Sequence, residues 1–403
     1  MMDHTKLFTP CVYPITHLLL SFIVFHFALH TSSYLRRLLL LPFFLLFAVF
    51  SFTQSTHFLF LPKLAVVWAQ SVALNILHVL SLFLIEKWPA PDVNHAIGSR
   101  YSSFGASYRL WSNPQLIPAA KTSSTRVKKE PRVLFLIRRL PKLPLYYYIS
   151  QHVQPRLFSA TIGALRSEDV ARAALFTRLP DFTLREAVVR SYMAVAWVCD
   201  NFVLMDSVHT VLASVMVVSG FDQAEDWPPL FGGLKDMCGL RNFWSRFWHR
   251  LARRPYTSYG RVVTYGIGFL GLPRLDTRVL DMTVAFVVFL ISGLSHATVS
   301  RQMGWKDWLD VKWFLLNFVA CLTEKVVLRI VRQAATKIGR QRELLVFEAS
   351  SLGRFLGFSW AFGFFFWSVP LWQFPRLHRE LIKAEIWTTI LPHRDSLNEK
   401  QGH

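Results

Sequence analysis

Five residues in this chain have types and spacings suited to chemistry. Four lie in the stretch "GLRNFWSRFWHRLAR", residues 239–253, and the fifth in "FLISGLSHA", residues 289–297. At about 100° per residue, Asn242, Arg246, His249 and Arg253 of a helix fall within roughly 40° of one another. They would form a narrow polar, basic stripe. Trp244, Trp248 and Leu251 take the opposite side, with Phe243 and Phe247 flanking. Such a helix lies in a membrane interface, its rings in the acyl boundary and its cations toward headgroups or an anionic ligand. Periodicity alone favours a simple anchor over a site.

His296 lies deep in a strongly apolar run. Ser292 and Ser300 share its helical face at i−4 and i+4, and Gly293 lets another helix approach closely. A buried neutral imidazole can act as a base near neutral pH, and an ionisable group in mid-membrane is a site candidate. A hydrogen-bonded packing histidine is the equal alternative. Asp200 and Asp206, inside the apolar stretch 187–220, pose the same choice. They are either intramembrane acids with a function or markers of a loop between two short helices.

The elements that must position these residues are membrane spans. Of 403 residues 52% are hydrophobic and only 17% charged, whereas soluble domains carry about 25% charged residues. The runs 11–30, 38–52 and 64–85 are nearly free of formal charge, and a helix needs about 20 apolar residues to cross a bilayer. Residues 11–30 read as a retained first span: a second apolar run follows, and no small-residue cleavage site intervenes. Further spans fall in 187–220, 280–300, 311–331 and 353–372. The expected fold is all-α, a polytopic bundle of about eight spans.

Four segments follow from this reading: N-terminal spans over 1–86, a basic polar loop on the cytosolic side over 87–142, a core over 143–373, and a polar tail over 374–403. The net charge of +20 sits in blocks between apolar runs, at Arg36–Arg37, Lys121 to Lys142, Arg246 to Arg261 and Arg329 to Arg342. That is the pattern of cytoplasmic loops with added attraction to anionic lipid, and it argues against nucleic-acid binding. The four cysteines form no CxxC, so no metal site is expected. "GIGFLG" (266–271) matches a dinucleotide fingerprint without its βαβ setting. "GLSHA" lies inside a span rather than at a nucleophile elbow.

The two polar stretches, taken together, resemble the wax synthase-like branch of the membrane-bound O-acyltransferases. In that family an "SLR-FW-R-WH" element precedes an apolar "F-SG--H" span. Here "GLRNFWSRFWH" (239–249) and "FLISGLSH" (289–296) stand in that order, within a resemblance covering about residues 225–300. The chain departs from the pattern at Gly239, Ser245 and Ala297. Its length and run of spans look like members that accompany fungal terpenoid and meroterpenoid pathways, which acetylate pathway hydroxyls.

The resemblance implies an MBOAT-like fold and an acyl-CoA:alcohol O-acyltransferase, multi-pass in the endoplasmic reticulum. It implies no permanent cofactor, with acyl-CoA, acetyl-CoA foremost, as co-substrate and a lipophilic alcohol as acceptor. His296 would be the general base. Asn242 and His249 would polarise the thioester or orient CoA, while Arg246, Arg253 and Trp248 would hold CoA. A long-chain wax ester synthase is the nearest alternative. A membrane-integral terpene cyclase using Asp200 and Asp206, or a transporter, stands further off.

Overall fold

The computed structural model describes residues 4–87, 103–115, 130–269 and 276–400, which contain helices and no strand. Three long apolar helices come first: α1 (His4–His30), α2 (Tyr34–Thr53) and α3 (Pro62–Leu80), the last continuing through a π-helical turn at Ser81–Ile85. Four short helices follow: α4 (Ser103–Ser112), α5 (Arg132–Arg139), α6 (Lys142–Tyr148) and α7 (Gln154–Thr161). The remainder is α8 (Leu184–Val218), α9 (Arg253–Phe269), α10 (Thr277–Gln302), α11 (Leu309–Lys337), α12 (Gln341–Ala349) and α13 (Ser351–Lys400). Local chemistry sets several starts. Ser33 Oγ accepts the Arg36 N–H before α2, and the Asp276 carboxylate accepts the Arg278 N–H before α10. Pro62, which has no N–H to leave unpaired, opens α3.

Six segments among the described residues are long and apolar enough to cross a membrane: Pro10–His30, Tyr34–Phe58, Pro62–Ile85, Leu184–Val218, Thr277–Gln302 and Ser351–Glu385. The further span expected at 311–331 is helical as part of α11. Its apolar run, however, is broken by Lys312, Glu324, Lys325 and Arg329. Leu184–Val218 is one unbroken helix, so the loop reading of Asp200 and Asp206 is overturned. Both acids lie within α8 and both are hydrogen-bonded. Asp206 accepts from Lys142 Nζ at 3.1 Å and Tyr146 Oη at 2.9 Å, and Asp200 accepts from Gln154 Nε2 at 2.5 Å. Partners of this kind make a carboxylate tolerable in an apolar setting.

The chain divides into two compact units. The first comprises Met1–Arg139, His209–Gly232 and Trp248–Leu322; the second comprises Leu140–Val208, Gly233–Phe247 and Thr323–His403. The core of the first is built on Phe25, Leu29, Phe44, Leu82, Phe83 and Leu110, all fully buried, with Phe25 stacked on Phe83 at 5.4 Å. Arg37, expected with Arg36 as loop charge, is buried instead. It donates to Ala28 O at 3.2 Å and Thr31 O at 3.1 Å, closing off carbonyls at the end of α1. The polar segment 87–142 is likewise not all loop. Helix α4 packs into the core through Ala106 and Leu110, and its Arg109 forms buried ion pairs with Asp222 and Asp226. The basic run 121–129 lies outside the described residues.

Two glycines set the helices around His296. A Cβ on Gly260 of α9 would stand 3.0 Å from the Val284 backbone of α10, and one on Gly293 would stand 2.9 Å from the Val311 Cα of α11. The close approach expected at Gly293 is therefore present. The second unit has its own core at Ile162, Val170, Val189 and Phe374, beside the fully buried Arg190. Arg190 is paired with Glu186 and bonded to the carbonyls of Arg172 and Ala173. The polar tail expected from 374 continues α13 as far as Lys400.

Candidate active site

Gly239 opens the "LRNFWSRFWH" stretch with φ +90°, a backbone conformation that disfavours every residue with a Cβ. A Cβ there would also stand 3.0 Å from Glu324 Oε1. Glu324 occupies that space because it caps the turn. It accepts the N–H groups of Leu240 at 2.7 Å and Arg241 at 3.4 Å, and the Trp360 indole N–H at 2.8 Å. The departure from serine at this position thus has a structural reason: the cap comes from residue 324 instead of residue 239.

The continuous amphipathic helix expected over 239–253 is not formed, and the stripe is corrected accordingly. One α-turn, Leu240–Asn242, passes into a π-helical turn, Phe243–Phe247. Trp248 to Ala252 are then irregular until α9 begins at Arg253. The boundary between the two units falls between Phe247 and Trp248. Buried aromatics outweigh the polar periodicity. In the second unit Phe243 is buried against Phe365 at 4.8 Å and near Trp197 at 6.3 Å. There Asn242 Nδ2 donates to Cys238 O at 2.9 Å and Arg246 is exposed. In the first unit Trp248 is 8% exposed and meets the Phe231 ring edge-on at 5.5 Å. Trp248 therefore packs in protein rather than presenting its face to the acyl boundary.

The first unit does bring His249 and His296 together. His249 lies edge-on to Phe231 at 6.1 Å, and its buried Nδ1 has no hydrogen-bond partner among the described residues. Burial, and then the nearby His296, push its pKa down to about 3, so the imidazole is neutral throughout the physiological range. His296 on α10 stacks on Phe314 of α11, with centroids 4.9 Å apart and planes 24° apart. Ser292 turns back to Val288 O at 2.8 Å. The adjacent Ser295 instead accepts Gln70 Nε2 of α3 at 2.8 Å. Arg253 is exposed at the start of α9.

Reasoning from sequence missed four polar residues of the same unit. Tyr256 and Arg254 lie on α9, Gln70 on α3 and Glu86 just beyond its π-helical turn. Glu86 is ion-paired to Arg254 and accepts the hydroxyls of Ser258 at 2.8 Å and Ser81 at 2.9 Å. Burial lowers Arg254 to about 10. Burial also raises the Tyr256 phenol, against a smaller opposing effect of the Ser295 hydroxyl. A sequence signal existed for Gln70, an amide inside the apolar run 64–85, of the same kind that singled out His296.

The depressed pKa of His249 carries a stability prediction. An unfolded imidazole takes its proton near pH 6.5, whereas the folded one resists protonation down to about pH 3. The unfolded chain therefore binds more protons in that window, and stability must fall as pH falls through it. Unfolding in detergent, followed from about pH 7 to about pH 5, should show this loss. His249→Gln should flatten the slope. An unchanged slope would mean that His249 is not the group responsible.

Residues 227–316 match the family described as the membrane bound O-acyl transferase family. Among curated relatives, the acetyltransferase atnC of Arthrinium sp is 38% identical over 31% of this chain and 28% of its own length. The acetyltransferase eriL of Hericium erinaceus is 27% identical over 62% and 59%. The acetyltransferase aurG of Calcarisporium arbuscula is 29% identical over 52% and 51%. The chain thus spans between about a quarter and three fifths of the length of these relatives. No solved structure matches it. Both histidines fall inside the segment, residues 227–316, over which the chain is similar to the membrane bound O-acyl transferase family.

Proposed function

We propose that this protein is an O-acyltransferase of the endoplasmic reticulum membrane. It transfers the acyl group of acyl-CoA, most specifically acetyl-CoA, to a hydroxyl of a lipophilic terpenoid or meroterpenoid acceptor. The observation that carries the reading is the pairing of a half-buried, neutral His249 with His296 inside the segment matched to the family. The curated relatives named as acetyltransferases support acetyl as the acyl group.

In this reaction His296 takes the proton from the acceptor hydroxyl as its oxygen attacks the thioester carbonyl. The C–O bond forms, the carbonyl π electrons move onto oxygen, and they return as the C–S bond breaks. The CoA thiolate leaves and receives the proton from His296. No acyl-enzyme is required. A neutral imidazole keeps one N–H to donate, so His249 polarises the thioester oxygen without competing as a base, a division of roles that a depressed histidine pKa permits. Arg253, exposed in the same unit, is the proposed contact for CoA phosphate oxygens, to which a guanidinium is suited. Asn242 and Arg246 belong to the other unit, and no step is assigned to them.

Microsomes carrying the protein, supplied with isotopically labelled acetyl-CoA or palmitoyl-CoA and a panel of terpenoid alcohols plus hexadecanol, test this reading by mass spectrometry. Labelled acetyl esters of terpenoid alcohols are expected. Palmitoyl esters of hexadecanol in their place would move the assignment to wax ester synthesis. Absence of any ester would overturn the acyltransferase reading.

A further inference from the structure

Helix α3 contributes an amide to the neighbourhood of His296 that the reaction above does not use. Gln70 sits inside the membrane-spanning segment Pro62–Ile85, where an amide is costly unless its polar atoms are met. Only half of it is met. Its Nε2 donates to Ser295 Oγ at 2.8 Å, while its Oε1 is buried with no hydrogen-bond partner among the described residues.

Ser295 is the chain neighbour of His296, and it is 7% exposed. With Nε2 directed at Ser295, Oε1 is left as an unmet acceptor on a side chain hydrogen-bonded to the residue next to the proposed base. A buried acceptor without a donor is destabilising, and buried groups left in that state call for a specific explanation.

We propose that Gln70 is a specificity-determining residue: its Oε1 receives a hydrogen bond from a second hydroxyl of the acceptor, distinct from the hydroxyl that is acylated at His296. The inference rests on the acyltransferase reading and narrows its substrate class to lipophilic molecules bearing at least two hydroxyls. A simple long-chain alcohol has one hydroxyl, and its proton goes to the base. Such an alcohol leaves Oε1 unmet. Sites built to bond a substrate hydroxyl discriminate against the analogue lacking it because their own polar group is then stranded.

The test uses the full chain in microsomes with labelled acetyl-CoA and matched acceptors: hexadecan-1-ol and a series of hexadecane-1,n-diols in which the second hydroxyl moves along the chain. The scan covers the unknown separation between the reacting oxygen and Oε1. One spacing is expected to give a kcat/KM about 2–12-fold above the mono-alcohol, the range of one neutral hydrogen bond. Gln70→Leu should bring that ratio to about one by lowering the diol alone. Its retained rate on the mono-alcohol shows that the variant is folded. Gln70→Glu, which keeps an acceptor oxygen, should retain a preference for the same spacing.

Equal rates for all diols in the parent protein would overturn the assignment. So would a diol preference that survives Gln70→Leu, or a loss shared equally by diol and mono-alcohol. Failure of the parent protein to acylate any of these alcohols or the terpenoid panel would instead overturn the acyltransferase reading itself.

Discussion

His296→Ala is expected to lower ester formation by roughly 100- to 10,000-fold, the range typical of removing a positioned general base. The protein should still accumulate in microsomes at its usual level. The expectation rests on where His296 sits: on α10, stacked on Phe314 and close enough to His249 to depress that residue's pKa. Labelled ester formed per unit of protein, quantified by immunoblot, is the measurement. Activity within tenfold of the parent protein would remove His296 from the reaction and return it to a packing role.

The second large effect is on folding. Arg109→Ala would leave Asp222 and Asp226 facing one another, with side chains only 2% and 1% exposed, without the guanidinium that pairs with both. Tyr108 and Trp227 each donate to Asp222 at 3.0 Å, and the Gln223 N–H donates to Asp226 at 2.8 Å. These neutral donors do not cancel two buried negative charges. Breaking a buried ion pair from one side typically costs about 3–5 kcal/mol. A marked fall in the melting temperature in detergent is expected, with partial recovery on adding Asp222→Asn and Asp226→Asn. The same segment leads to Phe231, against which His249 packs, so activity should fall with the fold. An Arg109→Ala protein that melts with the parent would show that the cluster contributes little.

Much of the fold was legible because membrane spans are written in composition. The apolar runs at 11–30, 64–85 and 280–300 need only length and absence of charge to be recognised, and each lies within a long helix. His296 was legible for the same reason, as one ionisable group in a run that excludes them. The stripe over 242–253 was not. Helical periodicity assumes an unbroken helix, and here Phe243 and Phe247 are buried in one unit while Trp248 is buried in the other. Tertiary burial of bulky rings outweighs local periodicity, and a π-helical turn is the local result. The cap from Glu324 was also beyond reach, since it joins residues 84 positions apart. Arg37 and Arg109 read as loop charges because a sequence shows what a residue is and not which carbonyl or carboxylate awaits it.

The stacking of His296 on Phe314 bears on which hydroxyl of an acceptor can react. An imidazole accepts and releases protons along its edge, in the plane of the ring, and a face covered by a phenyl ring is closed to both. With α11 packed close against α10 at Gly293, the phenyl ring of Phe314 lies over one face of that plane. Under the proposed chemistry the attacking oxygen and the departing sulfur must both come to the rim of one fixed disc. Regioselectivity on a polycyclic acceptor would then be governed by the orientation of a carbon–oxygen bond relative to that disc, a property set by helix packing rather than by the acidity of any hydroxyl.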